Sequence, residues 1–449
     1  MNYNEFKQQV NAFAEKASLL EYELYFKENS EINVETYKDE VKAFSSATRG
    51  GVGFRCIVNG KLGYASTELF SVEEAESLVK RAIENAKSIE SEDEVYIYEG
   101  GEKYQEVSVK PFPLPSADTM IQTALELQKN LYAEDERIID GTQTMAAAEI
   151  TKVNISNSKG LNVEYENSSV VVYAQPIASD GDEMYTEEAY VMKAIEEVDL
   201  NELAKEAVSE TVSVIGAGKV DSGKYKAVFS AKTMAKLLRT FSSIFSAEQV
   251  QHGLSLLKGK ENESIASPIV TIVDDPFYET SFYQVPFDAE GVPTFKKNVI
   301  EEGKLNTFLH NLKTAKKANV KNTANAYKQG YAGDIQIMPY NFYINPIKGK
   351  KEDLFKQVVD GIYITSLEGM HAGANPTTGD FSLAASGFLI KGGEKANAVK
   401  GFTVSGNFYE LLKKIELIGD DLEFVLPYGS SAMYGSPSVM IADMSIAGQ

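Results

Sequence analysis

The 449-residue sequence predicts an α+β protein: two N-terminal α+β units with antiparallel sheets, then a β-rich C-terminal domain, barrel-like or an open antiparallel sheet. Three observations carry this. Hydrophobic spacing in the first half switches between a helical period and a period of two, so helices bracket strands. From residue 224 on, short strands separated by Gly- and Asn-rich loops dominate. The chain is also too long for one ordinary domain, and an acidic, pattern-poor stretch interrupts it. The expected domains are residues 1–88, 111–220 and 224–449.

In the first unit, Phe6, Val10, Phe13 and Ala17 mark an amphipathic helix over 3–17. Large apolar residues alternate over 20–26, which predicts a half-buried strand, with a neighbouring strand at 31–38. Asn59-Gly60 between Val52–Val58 and Lys61–Ser66 is a type I′ hairpin signal, because both turn positions need positive φ. Ser71 and Glu74 form a capping-box pattern before a helix to 88, with Ala75, Leu78, Val79, Ala82, Ile83 and Ala86 as its inner stripe. Residues 90–110 are an acidic linker, including Glu92 and Asp93, stiffened at its end by Pro111, Pro113 and Pro115. In the second unit, Ser116 caps a helix over 117–133, and strands follow at 149–157, 161–175 and 184–193. Asp199 and Glu202 open a helix that runs to 214 and ends at Gly216. In the third, a strand at 224–229 leads through Ser230 into a helix over 231–250. Strands are then expected at 269–273, 299–301, 304–309, 361–366, 387–391, 398–404, 422–426 and 438–444.

Composition narrows the function. Hydrophobic residues make up 43% and charged residues 24%, enough apolar material for a real core. The net charge of −21 argues against a nucleic-acid partner, whose phosphates need a basic footprint. A single cysteine, Cys56, excludes an intramolecular disulfide and a cysteine-rich zinc module, and suits a reducing cytoplasm. The N-terminus does not read as a signal peptide, and no apolar run approaches 18 residues, so no membrane partner is expected.

Most short motifs fail on chemistry. Gly253 to Gly259-Lys260 is one residue too long for a P-loop, and Glu261 stands where a hydroxyl would bind magnesium. Ala384-Ala385-Ser386-Gly387 lacks the first glycine of a nucleophile elbow, and no H-E-x-x-H occurs. Asp274-Asp275-Pro276 and Asp420-Asp421 read as turns with Asx hydrogen bonds rather than cation sites. Cys56 reads as a small buried hydrophobe. His252 follows a helix C-terminus, His310 ends a strand, and His371 lies in the Gly-rich loop 369–380.

The C-terminal half resembles the TldD/PmbA family, also called gyrase modulators. The resemblance rests on His252–Gly259, Ile265–Ser267, Thr271–Pro276, Asn375–Ser382, Ala385–Phe388, Gly401–Asn407 and Ser436–Val439, in family order over 225–449. It implies a metallopeptidase of two related subunits acting on peptides or partly unfolded polypeptides. The TldD type carries H-E-x-x-x-H on a helix and a later cysteine; the PmbA or TldE type lacks these ligands and pairs with it. Here Leu238 and Ser243 fall where the histidines would be, Arg239 falls at the glutamate, and the closing loop from Phe424 to Gly435 has no cysteine. The run Asn375–Ser382 is also typical of the PmbA branch.

The resemblance therefore implies a PmbA/TldE-like subunit of a cytoplasmic metallopeptidase. It implies no metal and no catalytic residue in this chain, with zinc expected in a TldD-type paralogue as partner and a homodimer when the chain is alone. Cleft candidates are His371, Asn375, Thr378, Gly379, Asp380, Ser382 and Asn407. Two alternatives stay open: an enzyme holding a metal on His252, His310, His371 and nearby carboxylates, and a non-enzymatic scaffold or regulator acting through protein–protein binding.

Overall fold

The computed structural model describes residues 1–90, 94–181, 183–427 and 429–448. Helix α1 (Tyr3–Lys16) is opened by a capping box between Asn2 and Glu5. Its buried stripe is Phe6, Val10 and Ala14; Phe13 is half-buried and Ala17 is the exposed C-cap, because the stripe steps by four throughout. Strand β1 (Glu21–Tyr37) is continuous, not the two strands expected at 20–26 and 31–38. The polar stretch Lys27–Ser30 suggests a turn, but both of its edges are paired without a break, to β2 on one side and β4 on the other. A tight turn at Lys38-Asp39, both with positive φ, leads into β2 (Glu40–Val58). Asn59-Gly60 forms the expected second turn, with φ of 52° and 76°, into β3 (Lys61–Thr67). Ser71 caps α2 (Val72–Ser88) by accepting from the Glu74 N–H, but Glu74 pairs with Arg81 instead of completing a capping box.

Helix α3 (Ala117–Glu134) has the expected Ser116 cap, and β4 (Gln143–Asn157) begins six residues before the expected 149. The early part, Gln143–Ala148, is Ala-rich and carries little strand propensity. Thr144, Ala146 and Ala148 are buried there beneath α3, where small side chains let the helix approach. β5 (Asn162–Gln175) follows, and the strand expected at 184–193 is broken into β7 (Glu183–Thr186), which pairs with β6 (Ile177–Asp180), and β8 (Ala189–Val191). Asp199 caps α4 (Leu200–Ser213).

The strand order β3-β2-β1-β4-β5-β8 makes one antiparallel sheet from both N-terminal units, with β1 paired to β4 from Glu23↔Asn157 to Tyr37↔Gln143. Its even-numbered β1 residues face the helices. Leu24 and Phe26 pack with α1 and α2, and Ile32 and Val34 pack with α3 and α4. Its odd-numbered residues face the C-terminal domain, where Tyr25, Val153 and Ile155 meet Phe287, Ala289 and Ala326. Of the acidic stretch, Glu92 and Asp93 lie outside the described residues. From residue 94 to 116 there is no helix or strand, but the segment is fastened to both lobes. Tyr98 O accepts from Asn157, Tyr104 donates to Gly291 O, and Gln284 Oε1 accepts from the Ser108 N–H.

In the C-terminal domain, β9 (Gly223–Phe229) leads through the Ser230 cap into α5 (Ala231–Phe241). The expected helix to 250 ends early: Ser242–Phe245 is a 3₁₀ turn, and α6 (Ala247–Gln251) starts after Ser246. The Ser242 hydroxyl donates back to Arg239 O, a local bond that competes with helical continuation.

One sheet contains β12 (Lys304–Leu305), β11 (Lys297–Glu301), β10 (Ile272–Asp274), β15 (Asn341–Ile344), β21 (Met433–Ser436) and β20 (Glu423–Val425), in that order. Helix α7 (Leu312–Ala318) and the pair β13 (Ala326–Tyr327) and β14 (Gln336–Ile337) lie beside it in sequence. Beyond α8 (Lys351–Val358), strands β16 (Gly361–Glu368), β17 (Asp380–Lys391) and β18 (Glu394–Asn407), with β22 (Val439–Ala447) and β9, close a five-stranded barrel. The closing pairs are Thr403↔Ala447 to Ser405↔Ser445. Short helices α9 (Met370–Gly373) and α10 (Phe408–Lys413) sit at strand ends, and β19 (Ile415–Ile418) adds to β22. Helix α5 is wedged between barrel strand β16 and the strands β20 and β21, and Phe241 stacks on Phe408 with ring centroids 4.7 Å apart.

Candidate functional site

The loop 369–382 is a polar knot. Asn375 Oδ1 accepts from the Thr377 and Thr378 N–H groups at 3.0 and 3.3 Å. Asn407, at the end of β18, donates to Thr378 O and to Asp380 Oδ1, both at 2.8 Å. That bond holds the Asp380 carboxyl below its usual range. Ser382 accepts from Ser405 at 3.1 Å. Gly379 has φ +82°, and a Cβ there would stand 2.4 Å from the Tyr409 ring, so only glycine fits. Asn375, Thr378, Gly379, Asp380, Ser382 and Asn407 are thus brought together. His371, on α9, is exposed and makes no bond to them. Apart from Gly379 and the half-exposed Asn407 these residues are exposed, and none lines the major cavities between the lobes.

The other sequence candidates are absorbed locally. Asp275 Oδ1 accepts from Phe277 N–H in an Asx turn, while Asp274 is fully buried against Lys297, Asn325 and the Tyr340 N–H. Asp421 reaches across to Ser438 rather than closing its own turn. His252 caps α6, as expected. His310 is buried beside Thr314 just before α7, and burial pushes its pKa down to about 4. Among the described residues no three His, Cys, Asp or Glu side chains form a group able to hold a metal.

On α5, Leu238 is fully buried, Arg239 Nη1 donates to Leu426 O at 3.2 Å, and Ser243 lies exposed in the 3₁₀ turn. A hydrocarbon, a guanidinium and an outward hydroxyl do not fit a zinc ligand set.

The cavity that the residue pattern alone does not reveal lies between the lobes and measures about 370 Å³. The odd-numbered face of the N-terminal sheet forms its floor. Registers Lys27↔Val153, Asn29↔Thr151, Thr151↔Asn167 and Val153↔Tyr165 place these side chains in adjoining rows. Residues 283–289, 326–329 and Tyr340 form the roof, together with 429–431 of the closing loop. Beside it, Arg55 Nε donates to Glu23 at 2.8 Å, and Arg55 Nη1 stands 3.8 Å from Glu290 of the C-terminal domain. All three are at least 94% buried, and burial raises Glu290 to about 7. The sequence carries no local signal for this site: the odd positions of β1, Glu23, Tyr25, Lys27 and Asn29 among them, read as a solvent-facing row.

The barrel and the adjoining sheet hold the short helix α5 between them, and the C-terminal domain they form is set against the helix-backed N-terminal sheet. The PmbA/TldA metallopeptidase domain 1, central domain and C-terminal domain models match residues 22–86, 110–214 and 222–448. The chain belongs to the PmbA/TldD metallopeptidase family. A Thermotoga maritima protein named as a modulator of a DNA gyrase is 33% identical, with a TM-score of 0.90 over 99% of this chain and 100% of its own. TldE from Thermococcus kodakarensis shares the fold, with a TM-score of 0.89 at 23% identity over 99% and 100%. The metalloprotease PmbA of Escherichia coli O157:H7 is 26% identical over 65% of this chain and 62% of its own.

Proposed function

We propose that this chain is the PmbA/TldE-like, metal-free subunit of a two-subunit cytoplasmic metallopeptidase. The observation that carries this reading is that Leu238 and Arg239 on α5 and Ser243 in the turn after it, where the resemblance expects a metal motif, are committed to packing, to a backbone carbonyl and to solvent. A TldD-type paralogue supplies the zinc and the bond-breaking chemistry; this chain supplies a wall of the peptide-holding space. The inter-lobe cavity suits that role because it is lined by tyrosines and by amides and hydroxyls able to bond an extended backbone. The loop Asn375–Ser382 with Asn407 is a rigid surface able to meet the partner. Alone, the chain pairs with itself.

The test is elemental analysis after dialysis against trace zinc, followed by mixing with a TldD-type paralogue. Under about 0.1 zinc per chain, twice the monomer mass alone, and metal-dependent peptide cleavage only in the mixture are expected. About one zinc per chain, or a monomer indifferent to the paralogue, refutes the reading.

A further inference from the structure

Lys328 is 96% buried and makes no ion pair among the described residues. Its ammonium stands 4.9 and 4.7 Å from the ring centres of Tyr25 and Tyr64. Its hydrogen bonds are long: 3.5 Å to Tyr64 Oη and 3.4 Å to Tyr331 O. A buried cation without a counter-ion is costly unless a ligand supplies one. Among the described residues no carboxylate stands within 4.0 Å of the ammonium, and Glu23 and Asp334 act on it only from farther away. Glu23 accepts from Arg55 Nε at 2.8 Å. Both Asp288 oxygens accept backbone N–H groups, of Glu290 and Val292 on one and of Ala326 on the other. Lys328 lines the inter-lobe cavity from its roof, and Lys27 donates across from the floor to the carbonyl of its chain neighbour Gln329 at 2.9 Å, which brings a second cation to the cavity beside the Glu149 carboxylate.

We infer that the inter-lobe cavity binds a carboxylate of the polypeptide, with Lys328 as its counter-ion and the tyrosine wall around the adjoining side chain. This rests on the peptide-holding role proposed above and adds the chemistry that the cavity selects. The carboxylate comes either from a chain terminus or from an acidic side chain, and both present the same charge. A space of about 370 Å³ admits one or two residues, not a folded segment.

Charge at Lys328 is adjustable. Burial, reinforced by Arg55 on β2, lowers its pKa to about 8, while Glu23 on β1 and Asp334 in the following loop oppose that shift. Tyr25 and Tyr64 face it from β1 and β3. The ammonium is therefore present at pH 7 and lost as pH rises past about 8, later when a carboxylate is bound.

The test is calorimetric titration of the full chain with acetyl-Ala-Phe as free acid, the same peptide as amide, and acetyl-Ala-Glu amide. At pH 7 the free acid, the glutamyl amide or both should bind roughly tenfold or more tighter than the neutral amide, the scale of a charge-assisted hydrogen bond. Which of the two binds identifies the source. The preference should vanish in Lys328→Met, which keeps the hydrocarbon stem, and in the unmodified chain it should fade between pH 7 and 9.5. The pH series needs no variant to fold. Equal binding of acids and amide, or a preference that survives at pH 9.5, overturns the inference but leaves a peptide-holding cavity standing. No binding by any of the three overturns both.

Discussion

Replacing Arg55 by Met should loosen the joint between the lobes. The guanidinium bridges Glu23 of the sheet, at 2.8 Å, and Glu290 of the C-terminal domain, at 3.8 Å. Removing it strands two carboxylates that are 98% and 96% buried. Breaking a buried ion network from one side costs about 3–5 kcal/mol, because the remaining charges keep their desolvation penalty and lose their partner. The pH dependence has a definite sign. Glu290 titrates at about 7 in the intact network, and without Arg55 its pKa rises further. Between those two values the variant holds a proton that the parent has lost, so the penalty grows by roughly 1.4 kcal/mol per pH unit. Below about pH 7 both forms are protonated at Glu290, and its share disappears. A chain of several lobes need not unfold in one step, so native-state hydrogen exchange at pH 6 and 8 is the suitable assay, read on β1–β2 amides and on residues 288–292. The triple variant Glu23→Gln, Arg55→Met, Glu290→Gln removes the charges of all three partners and should recover much of the loss. A penalty under about 1 kcal/mol at pH 8, or one that increases on acidification, refutes the reasoning.

Two further outcomes follow from the geometry. Gly379→Ala should destabilise by about 1–3 kcal/mol in thermal or denaturant unfolding, because it adds a Cβ at φ +82° and 2.4 Å from Tyr409; an unchanged midpoint would contradict the packing. The Cys56 thiol is fully buried and pushed up to about 11 by burial, so it should resist a thiol reagent at pH 8 in the native chain and react at once in denaturant.

The fold was legible wherever a local rule was sufficient. Asn59-Gly60, Ser116, Asp199 and Ser230 each act through bonds within four residues, and each sits where the sequence places it. The misreadings share a different cause. β1 looked broken at Lys27–Ser30 because a one-sided sheet was assumed, whereas a strand covered on both faces can carry polar residues over a buried cavity. The helix after Ser230 looked long because its apolar residues continue, yet Ile244 and Phe245 are buried from a 3₁₀ turn instead. β4 began early because burial under α3 outweighs the weak strand propensity of Ala146–Ala148.

The site was harder to read for the same reason. The loop Asn375–Ser382 announces itself through its own turn chemistry, so a motif search finds it. Lys328, Arg55 and Glu290 announce nothing locally: they lie 273, 235 and 38 residues apart in the chain and acquire meaning only when the sheet docks. What docking creates is an asymmetry of charge. Arg55 is given two carboxylates within ion-pair distance, whereas Lys328, packed against the same β1–β3 face, has none that close. A fold optimised for stability alone would place an apolar side chain at Lys328, since a buried unpaired ammonium opposes folding. Keeping it there has a physical rationale if the missing charge arrives with a ligand, and the cavity beside it provides the room.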